Sequence, residues 1–324
     1  MSNSAYTVYG GKLSYFTRKL EAAMIFYGAD FEVKSWRDNP LVEKRSGTHQ
    51  IPVLHTPEDW MIADTTPLLR MLDARFPERE MFPAGELGVL VHVLEEYFDE
   101  WIARTMVHYR WHYPESAEFA APRIGDGDKE IAERVLNWGP RSCRATGTES
   151  EQQQRAAEEE YVRMLEAAES QLNETKFLLG DRPTAVDCIV LGGLRAHTYM
   201  DPVPKRVVVN YPTVVEWLAS RADTWNGNGD LVAFPDSTSF ARTILGEMAT
   251  TYRPYVLGNR DAQAAGSKAF HAEIYGEDVS YLSRPYPEQS RRMVAAHIAD
   301  LTADERDAVN AWLGEYHLAD AFLA

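Results

Sequence analysis

Residues 50–69 have the sequence QIPVLHTPEDWMIADTTPLL. Two apolar runs, at residues 51–54 and 60–63, flank a turn-like segment at residues 56–59, which predicts a hairpin of two strands. Leucines then recur at helical spacing until shortly before Pro77, and the residue before a proline disfavours the helical conformation. This stretch therefore predicts two antiparallel strands followed by a helix.

The residues before this stretch alternate between strand and helix patterns. Residues 6–9 form a strand candidate, residues 14–27 carry apolar side chains on one helical face, and residues 31–36 form a second strand candidate. The predicted order is strand–helix–strand, then an unassigned segment, then strand–strand–helix. This order is typical of a small α/β domain, here over residues 1–80.

After Pro83 the spacing of apolar residues becomes helical. Residues 113–147 look irregular because they contain glycine- and proline-rich breakers. Mixed elements followed by a run of helices predict two domains, at residues 1–80 and 86–225, with a helical extension over residues 230–324 packed on the second domain. Helices are predicted at residues 86–112, 150–172, 184–197 and 211–222, and near residues 237–251, 287–299 and 303–315.

The composition excludes several classes of partner. The 324 residues include 33 Lys and Arg against 49 Asp and Glu, a formal net charge of −16, which disfavours binding to nucleic acid or anionic membranes. Two cysteines, Cys143 and Cys188, are too few for a disulfide framework and lack the spacing of metal ligands. The sequence shows no secretory leader pattern and no apolar run long enough to span a bilayer, so we expect a cytoplasmic protein. The cysteine spacing predicts that it binds no metal.

Two positions in the first domain allow both a chemical and a purely structural interpretation. Ser14 begins a helix, and unpaired N–H groups at a helix start stabilise an anion such as a thiolate. Taken alone, a serine there is more often only an N-cap. Pro52 opens a strand. A cis bond between Ile51 and Pro52 would turn backbone groups toward the helix start, whereas a trans proline would be an ordinary edge residue.

Two further motifs lie at predicted helix starts. Asp64 and Thr65 follow the fourth strand, where they suit either helix capping or a grip on the amino-acid end of a ligand. Thr184 and Asp187 have the spacing of a capping box, with Asp in place of the usual Glu, and are structural under either interpretation.

In their order and spacing, these motifs resemble the glutathione transferase superfamily over residues 5–224. The resemblance implies a thioredoxin-like α/β domain that binds glutathione, followed by an all-α domain. In that family a Ser, Tyr or Cys after the first strand faces the glutathione sulfur, a cis-proline pairs with the cysteinyl backbone, and an acidic residue followed by Ser or Thr binds the γ-glutamyl group. The resemblance assigns these roles to the catalytic Ser14, to Ile51 and Pro52, and to Asp64 and Thr65, with Gln50 at the glycyl carboxylate and the capping box at Thr184 and Asp187.

The sequence is similar to a serine-type, bacterial branch of that family with a long C-terminal extension. It departs from the common pattern in having Tyr15 where many serine-type members have Pro, and Asp64 where Glu is usual. A cysteine at position 14 would indicate disulfide exchange, so its absence argues against an oxidoreductase. The resemblance further implies a homodimer, with glutathione as the co-substrate and no metal or nucleotide.

The expected activity is that of a detoxification-type transferase that adds the glutathione thiolate to a small, apolar electrophile. A non-catalytic binding or scaffold protein of the same fold is one alternative, and a glutathione-dependent isomerase or reductase is another. The aromatic end of the long helix is a candidate pocket for the second substrate, although core packing and subunit contact are alternatives for its residues. The residues proposed for this pocket are Trp101, Thr105, His108 and Tyr109.

The extension has its densest polar and aromatic stretch at residues 281–292. Its prolines indicate an irregular segment leading into a helix. The stretch would then be a lid over the active site, part of the dimer contact, or a packing layer.

Overall fold

The N-terminal domain is built on a four-stranded mixed sheet. The computed structural model describes residues 6–323, apart from the side chain of Asp38. The strands are β1 (Tyr6–Gly10), β2 (Phe31–Ser35), β3 (Val53–His55) and β4 (Met61–Ala63). They lie in the order β2-β1-β3-β4, with β1 parallel to β2 and antiparallel to β3. β3 and β4 form the predicted hairpin.

Helices pack on this sheet in the predicted order. They are α1 (Tyr15–Tyr27), α2 (Leu41–Ser46) and α3 (Thr65–Asp73). α1 ends at Gly28, which adopts a left-handed conformation with φ 66° that suits glycine. The segment that the sequence left unassigned contains α2 and a short 3₁₀ turn, Trp36–Asp38.

The second domain is all-helical. α4 continues through a π-helical turn, Tyr97–Ile102, into α5, so the predicted long helix is present with an irregular middle. The apolar helix α9 is buried along its whole length and continues into a second π-helical turn, Leu194–Thr198. The helices are α4 (Gly85–Glu96), α5 (Ala103–Trp111), α6 (Pro114–Gly125), α7 (Lys129–Ala145), α8 (Glu151–Glu174), α9 (Ala185–Gly193), α10 (Pro202–Val208) and α11 (Pro212–Glu216).

The prediction that residues 113–147 are irregular is wrong, because this segment forms α6 and α7. Pro140 lies inside α7 next to Gly139, where a side chain would meet the ring of Trp111 at 3.0 Å. The close approach of α7 to α5 therefore outweighs the weak local propensity of the glycine–proline pair.

The extension contains helices and also a β-hairpin that the sequence prediction missed. Its strands alternate buried and exposed side chains, and they meet at Tyr275 and Gly276, both with positive φ, as a two-residue hairpin turn requires. Alternating apolar residues around a glycine were the available signal. The elements are α12 (Ser239–Met248), α13 (Tyr252–Ala265), β5 (Ala269–Ile274), β6 (Glu277–Leu282), α14 (Pro285–Ala299), α15 (Ala303–Glu315) and α16 (Ala319–Phe322).

The extension packs along the helical domain. α14 and α15 lie against α4, α12 lies against α8, and β6 lies against α7. No helix among residues 6–323 is long and apolar enough to cross a bilayer.

The two domains meet where α1 packs on α9, and glycines in α9 make that approach possible. A Cβ atom at Gly192 would lie 2.7 Å from the backbone oxygen of Tyr15 and 2.8 Å from the backbone nitrogen of Lys19. These are backbone atoms, so a side chain at position 192 must move the helix itself.

We expect Gly192→Ala to lower the free energy of unfolding by about 2–3 kcal/mol, as overpacking a close contact does. Gly246→Ala is the matched control, because Gly246 lies in α12 with nothing within 4 Å of its Cβ position. There the exchange is expected to stabilise by about 0.5–1 kcal/mol through helix propensity. Urea unfolding measures both, and equal effects at the two positions would contradict the close packing of α1 on α9.

Candidate active site

A cavity of about 980 Å³ lies where the N-terminal domain, the helical domain and the extension meet. Its first wall comes from the loop before β3 and the start of α3. Its second wall comes from the π-helical turn with α5 and α7, and its third from β6, α13 and α14. Residues far apart in the chain therefore face one space.

The first wall contains the residues that the sequence proposed for ligand binding. Gln50, Ile51 and Pro52 line the cavity at the entry to β3, and the peptide bond between Ile51 and Pro52 is cis. Asp64 and Thr65 line it at the junction of β4 and α3. Two stretches separated by the β3–β4 hairpin are thus brought to the same side of the cavity.

Asp64 has a backbone conformation that points to a special role. Its φ of 73° and ψ of 109° lie outside the favourable regions for a residue with a side chain. Such strain is concentrated at functional sites. Its side chain is exposed to the cavity, and desolvation and the neighbouring Asp99 raise its pKa, which Lys19 partly offsets.

The carboxylates of Asp64, Asp99 and Glu100 all line this end of the cavity. Beneath them the fully buried Lys19 forms an ion pair with Glu95 and lies 3.5 Å from Asp99. Burial opposes the charge of Lys19, but Asp99 and Glu95 raise its pKa above the ordinary value, so it stays protonated. This end of the cavity therefore suits a ligand group that is positively charged.

The extension is tied to the same carboxylates through Arg284. Its guanidinium donates to Glu100 at 3.1 Å and to the hydroxyl of Tyr255 at 2.7 Å. Its backbone N–H and C=O pair with the Asn259 side chain at 2.9 and 3.0 Å. These bonds fix the segment between β6 and α14 as the third wall.

The helical part of this fold matches a known family. Residues 126–221 match the family model described as glutathione S-transferase, C-terminal domain. By this match, residues 126–221 resemble the C-terminal domain of glutathione S-transferases. The match lies in the second domain, behind an N-terminal α/β domain with the predicted strand and helix order.

Solved structures resemble this fold at low sequence identity. The beta-etherase LigF from Sphingobium sp. strain SYK-6 is 15% identical with a TM-score of 0.50, over 69% of this chain and 97% of that chain. A glutathione S-transferase from Rhodospirillum rubrum F11 is 19% identical with a TM-score of 0.46, over 74% of this chain and 99% of that chain. No curated protein matches the sequence.

Ser14 lies at the start of α1 and is not among the residues that line the cavity, although Phe16 is. Its Oγ accepts a hydrogen bond from the N–H of Thr17 at 3.2 Å, so Ser14 caps α1 in the free protein. A serine hydroxyl that accepts this bond keeps its own proton for donation. The catalytic role of Ser14 stays a prediction.

Tyr15 stands at the position where many serine-type transferases have proline, and its contacts explain why a tyrosine is accommodated there. Its side chain is buried, its ring lies where a Cβ at Gly193 would stand, and its hydroxyl donates to the backbone oxygen of Phe98 at 3.1 Å. Tyr15 thereby connects α1 to the π-helical turn that carries Asp99 and Glu100.

The predicted second-substrate residues are only partly at the cavity. Trp101 lines it, but Thr105, His108 and Tyr109 do not. Thr105 Oγ donates to the backbone oxygen of Ile102, the ring of His108 pairs with Glu158 at 2.8 Å, and Tyr109 stacks on the half-buried ring of Tyr113. These three side chains pack within the helical domain and do not line the cavity, and their role in binding a second substrate stays a prediction.

The residues of the long helix that line the cavity are Asp99, Glu100, Trp101, Ala103, Arg104 and Val107. The guanidinium of Arg104 donates to Gln153 and lies 3.9 Å from Glu160. Arg110, on the same helix, pairs with Asp201.

Proposed function

We propose that this transferase binds glutathione in the cavity and adds its thiolate to a small electrophile. The observation that carries the proposal is the convergence of Gln50, Ile51, Pro52, Asp64 and Thr65 on one cavity that the second domain and the extension close. Cytoplasmic location, a homodimer and a role in detoxification remain predictions of the family resemblance.

In the proposed complex, the ammonium of the γ-glutamyl unit lies at Asp64, Asp99 and Glu100, whose charges complement it. Its α-carboxylate lies at Thr65, because the start of a helix stabilises an anion. The cysteinyl unit lies along Ile51 and Pro52, and Gln50 binds the glycyl carboxylate.

Ser14 and the start of α1 are proposed to hold the sulfur as a thiolate. Lowering the pKa of a thiol from about 8.5 by about two units raises the thiolate fraction at neutral pH roughly 25-fold. Because a less basic thiolate is a weaker nucleophile, its intrinsic reactivity falls roughly 6–10-fold. The net gain is small, so most of the rate must come from holding the electrophile beside the sulfur.

The bonding change in this proposal is simple. The thiol proton leaves to water, the sulfur electron pair forms a bond to an electrophilic carbon, and the leaving group departs with its bonding pair. In an addition to a double bond, the displaced electron pair instead takes a proton from water.

A binding protein without catalysis is the second candidate, and the position of Ser14 favours it. The cavity wall includes Phe16 but not Ser14, whose Oγ is engaged in capping α1. A glutathione-dependent isomerase or reductase remains a third possibility, because it would use the same thiolate.

The test combines calorimetric titration with glutathione and product mass analysis with general electrophiles, for wild type and Ser14→Ala. A product carrying the mass of glutathione supports conjugation, whereas a product of unchanged mass indicates isomerisation. Glutathione binding with no product from any electrophile supports the binding protein. Unchanged turnover in Ser14→Ala removes that residue from catalysis, and no binding at all refutes the proposal.

Glutathione affinity should rise with pH between about 5.5 and 7.5 if Glu100 contacts the ammonium. Burial, opposed by Arg284 and reinforced by Asp99 and Asp64, raises the pKa of Glu100 to about 7. A bound ammonium favours the ionised form, so we expect a gain of about tenfold over this range. Calorimetry at several pH values measures it.

Two features separate this effect from a general response to pH. Glu100→Gln should flatten the profile, while Glu315→Gln, an exposed exchange on α15, should not change it. The raised pKa also means that the free protein is more stable below the unfolded-state pKa of Glu100 and loses that stability as pH rises through about 7. A flat wild-type profile would remove Glu100 from the site.

A further inference from the structure

Arg104 lines the cavity, and two of its buried nitrogens have no hydrogen-bond acceptor among the described residues. The side chain is buried, and its Nη2 donates to the backbone and side-chain oxygens of Gln153 at 3.3 and 3.2 Å. Among residues 6–323, its Nε and Nη1 have no hydrogen-bond partner. Glu160 Oε2 lies 3.9 Å from Nη1, beyond hydrogen-bonding distance.

Tyr281 brings a second unmatched donor from the extension. It lies on β6, it is 1% exposed, and it lines the same cavity as Arg104. Its Oη has no hydrogen-bond partner within the described part of the chain. Buried polar groups nearly always have partners, so two unmatched donors in one cavity indicate that a ligand supplies the acceptor.

Aromatic rings surround these donors. The ring of Trp101 lies 5.5 Å from that of Tyr255 and 6.4 Å from that of Tyr281, and the rings of Tyr255 and Tyr281 are 5.2 Å apart. The Arg104 guanidinium carbon lies 4.6 Å from the Trp101 ring centre. Aromatic faces and edges of this kind suit a flat ring in offset or edge contact.

The rim of the cavity adds positive charge. Arg141 on α7 is exposed and lines the cavity. The part of the wall around Arg104 therefore offers donors and, at Arg141, a positive charge.

We propose that this subsite binds an aromatic carboxylate, whose carboxylate accepts from Arg104 and Tyr281 while its ring lies against Trp101 and Tyr255. The assignment of this subsite to the electrophile rests on the proposed function. The binding of an aromatic carboxylate there depends only on the contacts described above. The extension then contributes to substrate selection through β6 and is more than a packing layer.

The simplest test is calorimetric titration of the full chain with benzoate, benzamide and cyclohexanecarboxylate, without glutathione. We expect benzoate to bind at least about tenfold more tightly than either analogue, because only benzoate offers both charge and ring. Equal affinity for benzoate and benzamide, or no binding of benzoate, overturns the proposal.

Tyr281→Phe tests the subsite without disturbing the fold, since the lost hydroxyl has no partner among residues 6–323. It should weaken benzoate about tenfold, as loss of a hydrogen bond to a charged acceptor does, and leave the melting temperature unchanged. Tyr316→Phe, the same exchange on a tyrosine away from the cavity, should change neither. Arg141→Gln should weaken benzoate and leave benzamide unaffected.

The outcomes for benzoate and glutathione are separable. Benzoate binding that depends on Tyr281, in a protein that does not bind glutathione, supports the subsite and refutes the proposed function. If Tyr281→Phe weakens glutathione but not benzoate, the unmatched donors serve the tripeptide and the aromatic-carboxylate proposal is wrong.

Discussion

Asp64→Asn is expected to weaken glutathione binding by roughly 30–150-fold, which corresponds to about 2–3 kcal/mol for a charge pair that becomes buried on binding. The exchange removes the carboxylate charge but keeps the size of the side chain. Asn also tolerates positive φ about as well as Asp, so the strained backbone at this position is preserved.

Calorimetry with glutathione and with the dipeptide cysteinylglycine measures this effect. Because the dipeptide lacks the γ-glutamyl unit, its binding should be almost insensitive to Asp64→Asn. Asp307→Asn makes the same chemical change at an exposed position on α15 and should leave glutathione affinity unchanged. Equal losses for the tripeptide and the dipeptide would show that Asp64 does not contact the γ-glutamyl group.

Arg110→Leu is expected to destabilise the protein by about 3–5 kcal/mol, because it leaves a buried carboxylate without its partner. The guanidinium donates to both oxygens of Asp201, at 2.8 and 3.0 Å, and Asp201 has no exposed surface. It also donates to the backbone oxygen of Leu13 at 2.7 Å, next to Ser14. The loss should therefore loosen the turn that places Ser14 as well as the fold.

Thermal unfolding should show this as a fall in melting temperature on the order of 10 °C. Arg206→Leu is the matched control, since it breaks an exposed pair with Glu115 and should cost less than about 1 kcal/mol. In the double variant Arg110→Leu, Asp201→Leu the stability should partly return. Additive losses would contradict a direct ion pair.

The sequence predicted those parts of the site that depend on local order along the chain. Pro52 directly precedes β3, and Asp64 and Thr65 connect β4 to α3. Their positions therefore follow from the predicted order of strands and helices. The fold class followed for the same reason, and the α/β domain, the helical domain and the added C-terminal helices are all present.

The second wall could not be predicted in the same way, because it depends on contacts between distant segments. Arg104 faces the cavity and His108 does not, although both lie on one helix, and only packing against α8 decides between them. Tyr281 lies in a hairpin whose turn lacks the usual Asn-Gly pair, so neither its strand nor its contact with Trp101 was evident from spacing.

The most direct test of the account is a comparison of glutathione with cysteinylglycine by calorimetric titration of the wild-type chain. We predict one glutathione bound per chain and a dipeptide at least about a hundredfold weaker, because the carboxylates of Asp64, Asp99 and Glu100 recognise the γ-glutamyl ammonium. Equal affinities for the two peptides, or no heat with millimolar glutathione, would contradict it.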